Sequence, residues 1–389
     1  MEVWKDKEFV NPVHLYLPKE EIETGALQQI INLATNKRIT TPILIMPDCH
    51  QGYGAPIGSV FGSDNYLFPN AVGVDIGCGI SFQKYNPIDM TDDMVRAWEA
   101  IVREKVPIGF AMHKEKTYET FGFDTSADQV AAYLGDRPDY QMGTLGTGNH
   151  FMEMLVGSNG DIYLAVHTGS RGLGHAFAQY HTNIANIHDP EGAATELASI
   201  AYDSKEGQSY YNDMWLSISY AEQNRSSILH NMDYALREVA THVRNDGYVQ
   251  GTSHNFAHHA RTPEGKYAFY HMKGANRVQY DSLAMVPGSM GSPSYICAPR
   301  DYDNPSYFSH GAGRAMSRGA ARKNISMEQF AEKMAGTLTT ITEGMIDESP
   351  LAYKDIETVM ERQKDLMNVV DVLRPVCTIK DEGRKGKKK

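Results

Sequence analysis

The sequence predicts an α+β fold, a single large domain over residues 1–380 in which layered mixed β-sheets are flanked by helices. Short strand-like apolar runs broken by glycine recur in widely separated stretches, with helical periodicity between them. No internal repeat and no long linker divides the chain. Loops rich in glycine and histidine are spread across residues 47–314, as one composite site drawn from one domain would require.

The elements follow in order. "LPKEEIETGALQQIINLATN" (17–36) has helical spacing of its apolar residues, and "TPILIMPD" (41–48) reads as a buried strand running out into a loop. Several short β-like runs fill residues 56–84, and "AVGV" (71–74) reads as strand-like. "TDDMVRAWEAIVREKV" (91–106) is a helix with Thr91 as N-cap and acids in its first turn. "DIYLAVHTGSRGLGHAFAQYHTNIANI" (161–187) is strand, glycine loop, helix. Two long helices are expected over 206–244, since "NMDYALREVATHV" keeps its apolar residues three or four apart. Strands return from "KYAFYHMKGANRV" to "PSYICAP". Helices at 326–344 and 355–370 precede the strand-like "RPVCTIK" (374–380), and 381–389 form a basic, disordered tail.

Composition narrows the class. Of the 389 residues 41% are hydrophobic and 22% charged, as in a soluble globular protein with ample core. No apolar run is long enough to span a membrane, and the N-terminus is charged from its second residue, so the expected location is cytoplasmic. The four cysteines, Cys49, Cys78, Cys297 and Cys377, form no CxxC pair, which argues against a disulfide framework or a zinc finger. A net charge of −11 argues against broad non-specific nucleic-acid binding and leaves room for a local basic groove.

Five segments embed a histidine or an acid among small residues: "MPDCHQGYG" (46–54), "GVDIGCGI" (73–80), "GTLGTGNHFME" (143–153), "AVHTGSRGLG" (165–174) and "SHNF" (253–256). In the second, glycines at 73, 77 and 79 allow a tight turn that projects Asp75 and Cys78 the same way. Taken singly, Cys78 reads better as a small buried apolar side chain, with the glycines merely turning the chain. Together Asp75, Cys78, His150, His167 and His254 make a nitrogen, oxygen and sulfur donor set large enough for two divalent ions, with a thiolate able to bridge them. Zinc, manganese and iron all suit such donors. "TGSRGLG" and "HGAGRAMSRGAARK" set arginines among glycines, so guanidinium forks and backbone N–H groups can meet one phosphate. His310, Arg314 and Arg318 fall four apart, along one stripe if the segment is helical. Arg318 and Arg322 read better as a solvated helix face. "VPGSMGSPSY" (286–295) is a loop fit to hold a nucleotide, or an ordinary turn.

The ordered set "DIGCG", "LGTGNHFME", "HTGSRGLG", "KGA", "PGSMG" with "SY", and "HGAGR" with "SR" resembles the RtcB family of RNA ligases, from about residue 40 to Lys380. The resemblance implies an RtcB-like fold and a ligase that joins an RNA 3′-phosphate or 2′,3′-cyclic phosphate to a 5′-hydroxyl, in RNA repair or tRNA splicing. It implies that His310 attacks GTP and carries GMP as a phosphoramidate, which passes to the RNA 3′-phosphate and leaves when the 5′-hydroxyl attacks. One Mn²⁺ falls to Asp75, Cys78 and His150, and a second to Cys78, His167 and His254.

By the same resemblance, guanine-nucleotide contacts come from Asn149, His150, Phe151, Met152 and Glu153, from His254 and Asn255, and from Pro287, Gly288, Ser289, Met290 and Ser294. His310, Gly311, Ala312, Gly313 and Lys380 complete them, with Glu153 reading guanine N1–H and the 2-amino group. Arg171, Lys273 and Arg314 are assigned to RNA phosphate, and Asp48 to the edge of the site. The protein is expected to be a monomer. The chain departs from the family pattern in "AHHA" after His254, and at Asn276 and Pro293. The alternatives are a phosphoesterase that uses two metal ions without nucleotidyl transfer, and a non-catalytic RNA binder.

Overall fold

The computed structural model describes residues 1–117, 128–301 and 304–383. Two sheets organise the α+β chain. A six-stranded mixed sheet runs in the order Glu2–Trp4, Val13–Leu15, Ile43–His50, Ile57–Ser63, Tyr267–Lys273, Asn255–Arg261, with one parallel pair, Val13–Leu15 beside Ile43–His50. A seven-stranded antiparallel sheet runs Gln250–Ser253, Gly79–Pro87, Asp161–Thr168, Phe151–Val156, Met367–Ile379, Ser294–Pro299, Ala284–Val286. In the seven-stranded sheet Gly79–Pro87 lies between Gln250–Ser253 and Asp161–Thr168, and Phe151–Val156 lies beside Met367–Ile379, so the ends of these strands gather loops that the sequence keeps far apart.

Residues 205–239 form one 35-residue helix, Lys205–Val239, where two were expected. No glycine or proline interrupts residues 208–246, so nothing breaks the hydrogen-bond ladder. Its first half packs Tyr210, Met214 and Ile218 against Leu173 and Phe177 of helix Arg171–His188. Its second half packs Ile228, Leu229 and Met232 against Trp98 and Val102 of helix Asp92–Lys105 and against Leu164 of the seven-stranded sheet. This helix thus lies beneath the glycine-rich loops at the sheet's edge.

Helix Asp92–Lys105 begins as read, the Thr91 hydroxyl accepting from Met94 N. Three other readings change. "AVGV" is not a strand: Ala71 and Val72 close the short helix Pro69–Val72, where Pro69 pre-sets the first helical φ. The expected helix over 326–344 is only Met327–Lys333, followed by a 3₁₀ turn at Glu343–Glu348, because Gly336 at φ +93° ends it. The expected helix over 355–370 is Ile356–Arg362, and the chain is already a strand by Met367. Residues 381–383 carry no regular structure, and the rest of the expected tail lies outside the described residues. All four cysteines are free and buried. Among the described residues no helix is long and apolar enough to cross a membrane.

A candidate active site at the end of the seven-stranded sheet

Strand register brings the donor loops together. Gly79 sits between Thr168 and Ser253, and Phe151 lies opposite His167. Cys78, His254 and His150 each stand one residue off the end of a strand in this row, so all reach the same edge. The turn at Asp75–Cys78 depends on glycine at two points. Gly77 holds φ +74°, and a Cβ at Gly79 would lie 2.4 Å from Thr252 O.

The donors form a chain. Asp75 Oδ2 lies 3.0 Å from His150 Nε2, which is 3.4 Å from Cys78 Sγ. Cys78 Sγ is 3.3 Å from His167 Nε2, which is 3.3 Å from His254 Nε2. The His254 ring centroid is in turn 4.7 Å from that of His310. Two ligands bonded to one tetrahedral ion at ordinary lengths sit about 3.6 Å apart, so these separations fit a shared cation on either side of the sulfur. Cys78, His150 and His167 alone already form a buried donor group of metal-binding size.

The protonation pattern points the same way. Burial and mutual repulsion push His167 and His254 well below the usual imidazole range, leaving neutral rings with lone pairs. Burial alone would raise the Asp75 carboxyl, but its hydrogen bond to His150 holds it low. Burial and Asp75 raise the Cys78 thiol far above its usual value, and a cation reverses that balance. His254 Nδ1 is buried with no hydrogen-bond partner among the described residues.

Two residues absent from the sequence reading hold this arrangement, and both lie on the long helix. Arg225, 1% exposed, donates to Gly77 O (2.8 Å), Thr168 O (3.1 Å), Ser81 Oγ (3.0 Å) and Ser253 Oγ (3.1 Å). It thereby ties the loops of Cys78, His167 and His254 to one guanidinium. Asn224 accepts from Gly143 N (2.7 Å) and donates to Gly169 O (3.2 Å), tying the loop before His150 to the one after His167. Their signal was present: Tyr220, Ala221, Ile228 and Leu229, one turn away on either side, are all buried. A polar pair in such a stripe marks an inward-facing role.

His310 stands beyond the donor chain. Strand Ser306–Ser309 pairs with Ala275–Val278 and ends at this residue. His310 Nδ1 lies 2.8 Å from Asp48 Oδ2, and Asp48 is fully buried. A carboxylate can only accept, so Nδ1 carries the proton, and Nε2 is the ring atom that bears the lone pair in the neutral imidazole. Asp48 was placed only at the site edge, yet it is the direct partner of His310. It gets there because Ile43–His50 bulges: Ile45 pairs with Ser59 but His50 pairs with Ile57. Lys354 Nζ braces the bulge, donating to Pro47 O (3.0 Å) and Cys49 O (2.6 Å). Gly313 permits it, since a Cβ there would lie 2.2 Å from Asp48 O.

A cavity of about 300 Å³ opens on this group. Asn149, Phe151, Glu153, Pro287, Gly288, Ser289, Met290, His310, Gly311, Ala312, Gly313 and Lys380, all expected at the nucleotide, line it. His150, Met152, His254, Asn255 and Ser294 do not. Met152 is packed in the core, Asn255 donates to Asp75 O (3.1 Å), and Ser294 is buried in its strand. Burial pushes the Glu153 carboxyl up to about 7, against the pull of Thr378 Oγ1 at 2.6 Å and of Lys380. Glu348 is drawn down to about 2 despite its burial by Lys380 and Arg318, with Lys380 Nζ 2.7 Å away.

The arginine stripe is corrected. The helix begins only at Arg318, so His310 and Arg314 are in irregular chain, where Gly313 holds φ +72°. Arg318 and Arg322 are not merely solvated, because both pair with Asp347 (2.9 and 3.2 Å). Arg314 lines the cavity while donating to Asp347 O (2.6 Å). Arg171 and Lys273 are turned to the protein: Arg171 donates to Gly109 O (2.6 Å) and Lys273 to Asn70 O (2.6 Å). Burial brings the Lys273 amine down to about 7.

This is an α+β protein with a buried mixed-donor cluster and an oriented histidine beside it, His167 of the cluster and His310 lining one cavity. The chain matches the family model described as tRNA-splicing ligase RtcB over residues 29–134 and 118–381. It is 31% identical over 400 residues to the RNA-splicing ligase RtcB of Escherichia coli, covering 95% of this chain and 97% of that one. It is 28% identical over 463 residues to the tRNA-splicing ligase RtcB of Nanoarchaeum equitans, covering 97% of each. The RNA-splicing ligase RtcB of Mycobacterium bovis is 28% identical over 438 residues, covering 90% of this chain and all of that one. The chain belongs to the RtcB family.

Proposed function

We propose that this chain is a GTP- and Mn²⁺-dependent RNA ligase that joins an RNA 3′-phosphate or 2′,3′-cyclic phosphate to a 5′-hydroxyl. The observation that carries the reading is the His310–Asp48 pair at 2.8 Å beside the donor chain in one cavity. A phosphoesterase whose two metal ions activate water does not require an imidazole nucleophile beside them. The names of the relatives, RNA- and tRNA-splicing ligases, support end joining of RNA.

His310 Nε2 attacks the α-phosphorus of GTP, forming a P–N bond as pyrophosphate departs, and Asp48 stabilises the charge that grows on the ring. The RNA 3′-phosphate then takes GMP from His310, which regains its lone pair. A cyclic phosphate is first hydrolysed to the 3′-phosphate. The 5′-hydroxyl finally attacks the 3′-phosphorus and GMP leaves. Asp75, Cys78 and His150 would hold one Mn²⁺ and Cys78, His167 and His254 a second, together offsetting negative charge on the phosphate oxygens. Glu153 accepts from the guanine edge, and Lys380 sits with it. Residues 1–380 act as one catalytic domain, as a cytoplasmic monomer.

Incubation with GTP radiolabelled at its α-phosphate tests this. Label bound covalently through an acid-labile, base-stable bond is expected, and His310→Ala should abolish it. Label retained by His310→Ala would contradict the assignment.

A further inference from the structure

A second histidine belongs to the same bulge, and neither the donor chain nor the nucleotide uses it. His50 Nδ1 lies 2.9 Å from Asp48 O. A carbonyl oxygen only accepts, so the proton is on Nδ1 and Nε2 is left as an acceptor. Nε2 has no hydrogen-bond partner among the described residues, and it is not closed off from solvent. Burial keeps the ring neutral, bringing its pKa down to about 4.

His50 also stands where two cavities meet. It lines the 300 Å³ cavity with His310 and Phe151, and it lines a neighbouring cleft of about 970 Å³. That cleft is walled by Gln51, Ile57, Arg314, Lys354 and Arg362, with Tyr53 at 71% exposure on its rim. His50, Gln51, Ile57, Arg314 and Arg318 are common to both walls, while His310 lines only the smaller cavity. A strand lying in the larger cleft would therefore have His50 between it and His310.

We propose that His50 Nε2 accepts the hydrogen bond of the attacking RNA 5′-hydroxyl and selects it over a 5′-phosphate. This rests on the ligase reading. A hydroxyl offers the donor that Nε2 requires. A phosphate dianion offers only lone pairs and meets Nε2 with repulsion. In the sealing step the 5′-oxygen forms its bond to the 3′-phosphorus, and the anhydride bond to GMP breaks with its electron pair leaving on GMP. The hydroxyl proton passes by way of Nε2 to water in the cleft.

The test uses the full chain and two separate reactions. Formation of the GMP adduct is timed with labelled GTP. Sealing is timed with isolated RNA carrying a 3′-diphosphate-linked guanosine and a 5′-hydroxyl strand. His50→Ala should slow sealing about 10- to 100-fold more than it slows adduct formation. His50→Asn, whose amide oxygen still accepts, should recover part of that loss. A 5′-phosphate strand should compete better against the 5′-hydroxyl strand in His50→Ala than in the wild type.

Equal slowing of both reactions by His50→Ala, or no rescue by His50→Asn, would overturn the assignment of His50 and leave the ligase reading standing. A wild-type chain that forms no adduct and seals nothing would instead overturn the ligase reading, and this inference with it.

Discussion

Asp48→Asn separates an oriented nucleophile from a bystander histidine. The substitution keeps volume and shape but replaces the one partner of His310 Nδ1 among the described residues, 2.8 Å away, with a neutral amide. Asp48 is fully buried, so solvent cannot replace the lost charge. A hydrogen bond to a charged group contributes about 2–3 kcal/mol, and losing it as the ring becomes positive raises the barrier by a similar amount. At about 1.4 kcal/mol per decade this is a slowing of roughly 30- to 150-fold in adduct formation. Stability should change little or rise, because Asp48 Oδ1 is already buried without a partner and an amide is easier to bury than a charge. The assay is single-turnover labelling by GTP, with thermal unfolding and metal content measured on the same sample. Wild-type labelling rates in a folded, metal-loaded Asp48→Asn protein would refute the orienting role.

The other predictions concern the surrounding frame. Arg225→Met should remove the guanidinium bonds to Gly77 O and Thr168 O, leaving Gly77 O only the longer bond from Ser253 Oγ, and cost about 3–5 kcal/mol in denaturant unfolding while weakening metal uptake; unaltered stability would contradict the clamp. Cys78→Ala should remove metal binding on both sides of the sulfur, read as metal per chain after dialysis against Mn²⁺, and retention of one full equivalent would argue against sharing. The Glu153 carboxyl, raised to about 7, is protonated below that pH and a full acceptor above it. Preference for GTP over ATP as adduct donor should therefore climb between about pH 6 and pH 8, and a flat ratio would remove Glu153 as the base reader.

Residues with distinctive chemistry in small-residue loops were legible from the sequence. Asp75, Cys78, His150, His167, His254 and His310 announce themselves because glycine neighbours leave little reason to bury a polar group there. Met152, Asn255 and Ser294 fell within the same motifs, but strand alternation turns Met152 into the core and leaves the others off the cavity wall. The stripe of apolar residues around Asn224 and Arg225 marks them as inward-facing, but not what they hold, because their partners are remote: Arg225 bonds to residues as far as 148 positions away. Asp48 and His50 depend on a strand bulge, which no local periodicity records. The single 35-residue helix was readable from the absence of glycine and proline after Gly207, but its apolar stripe was read as two segments.

Joining of two RNA strands by the purified chain tests the central claim most directly. With GTP and Mn²⁺, a 3′-phosphate strand and a 5′-hydroxyl strand should be sealed, His310→Ala should seal nothing, and a 3′-hydroxyl with a 5′-phosphate should stay unjoined. Sealing of that last pair, or sealing that proceeds without GTP, would contradict the whole mechanism.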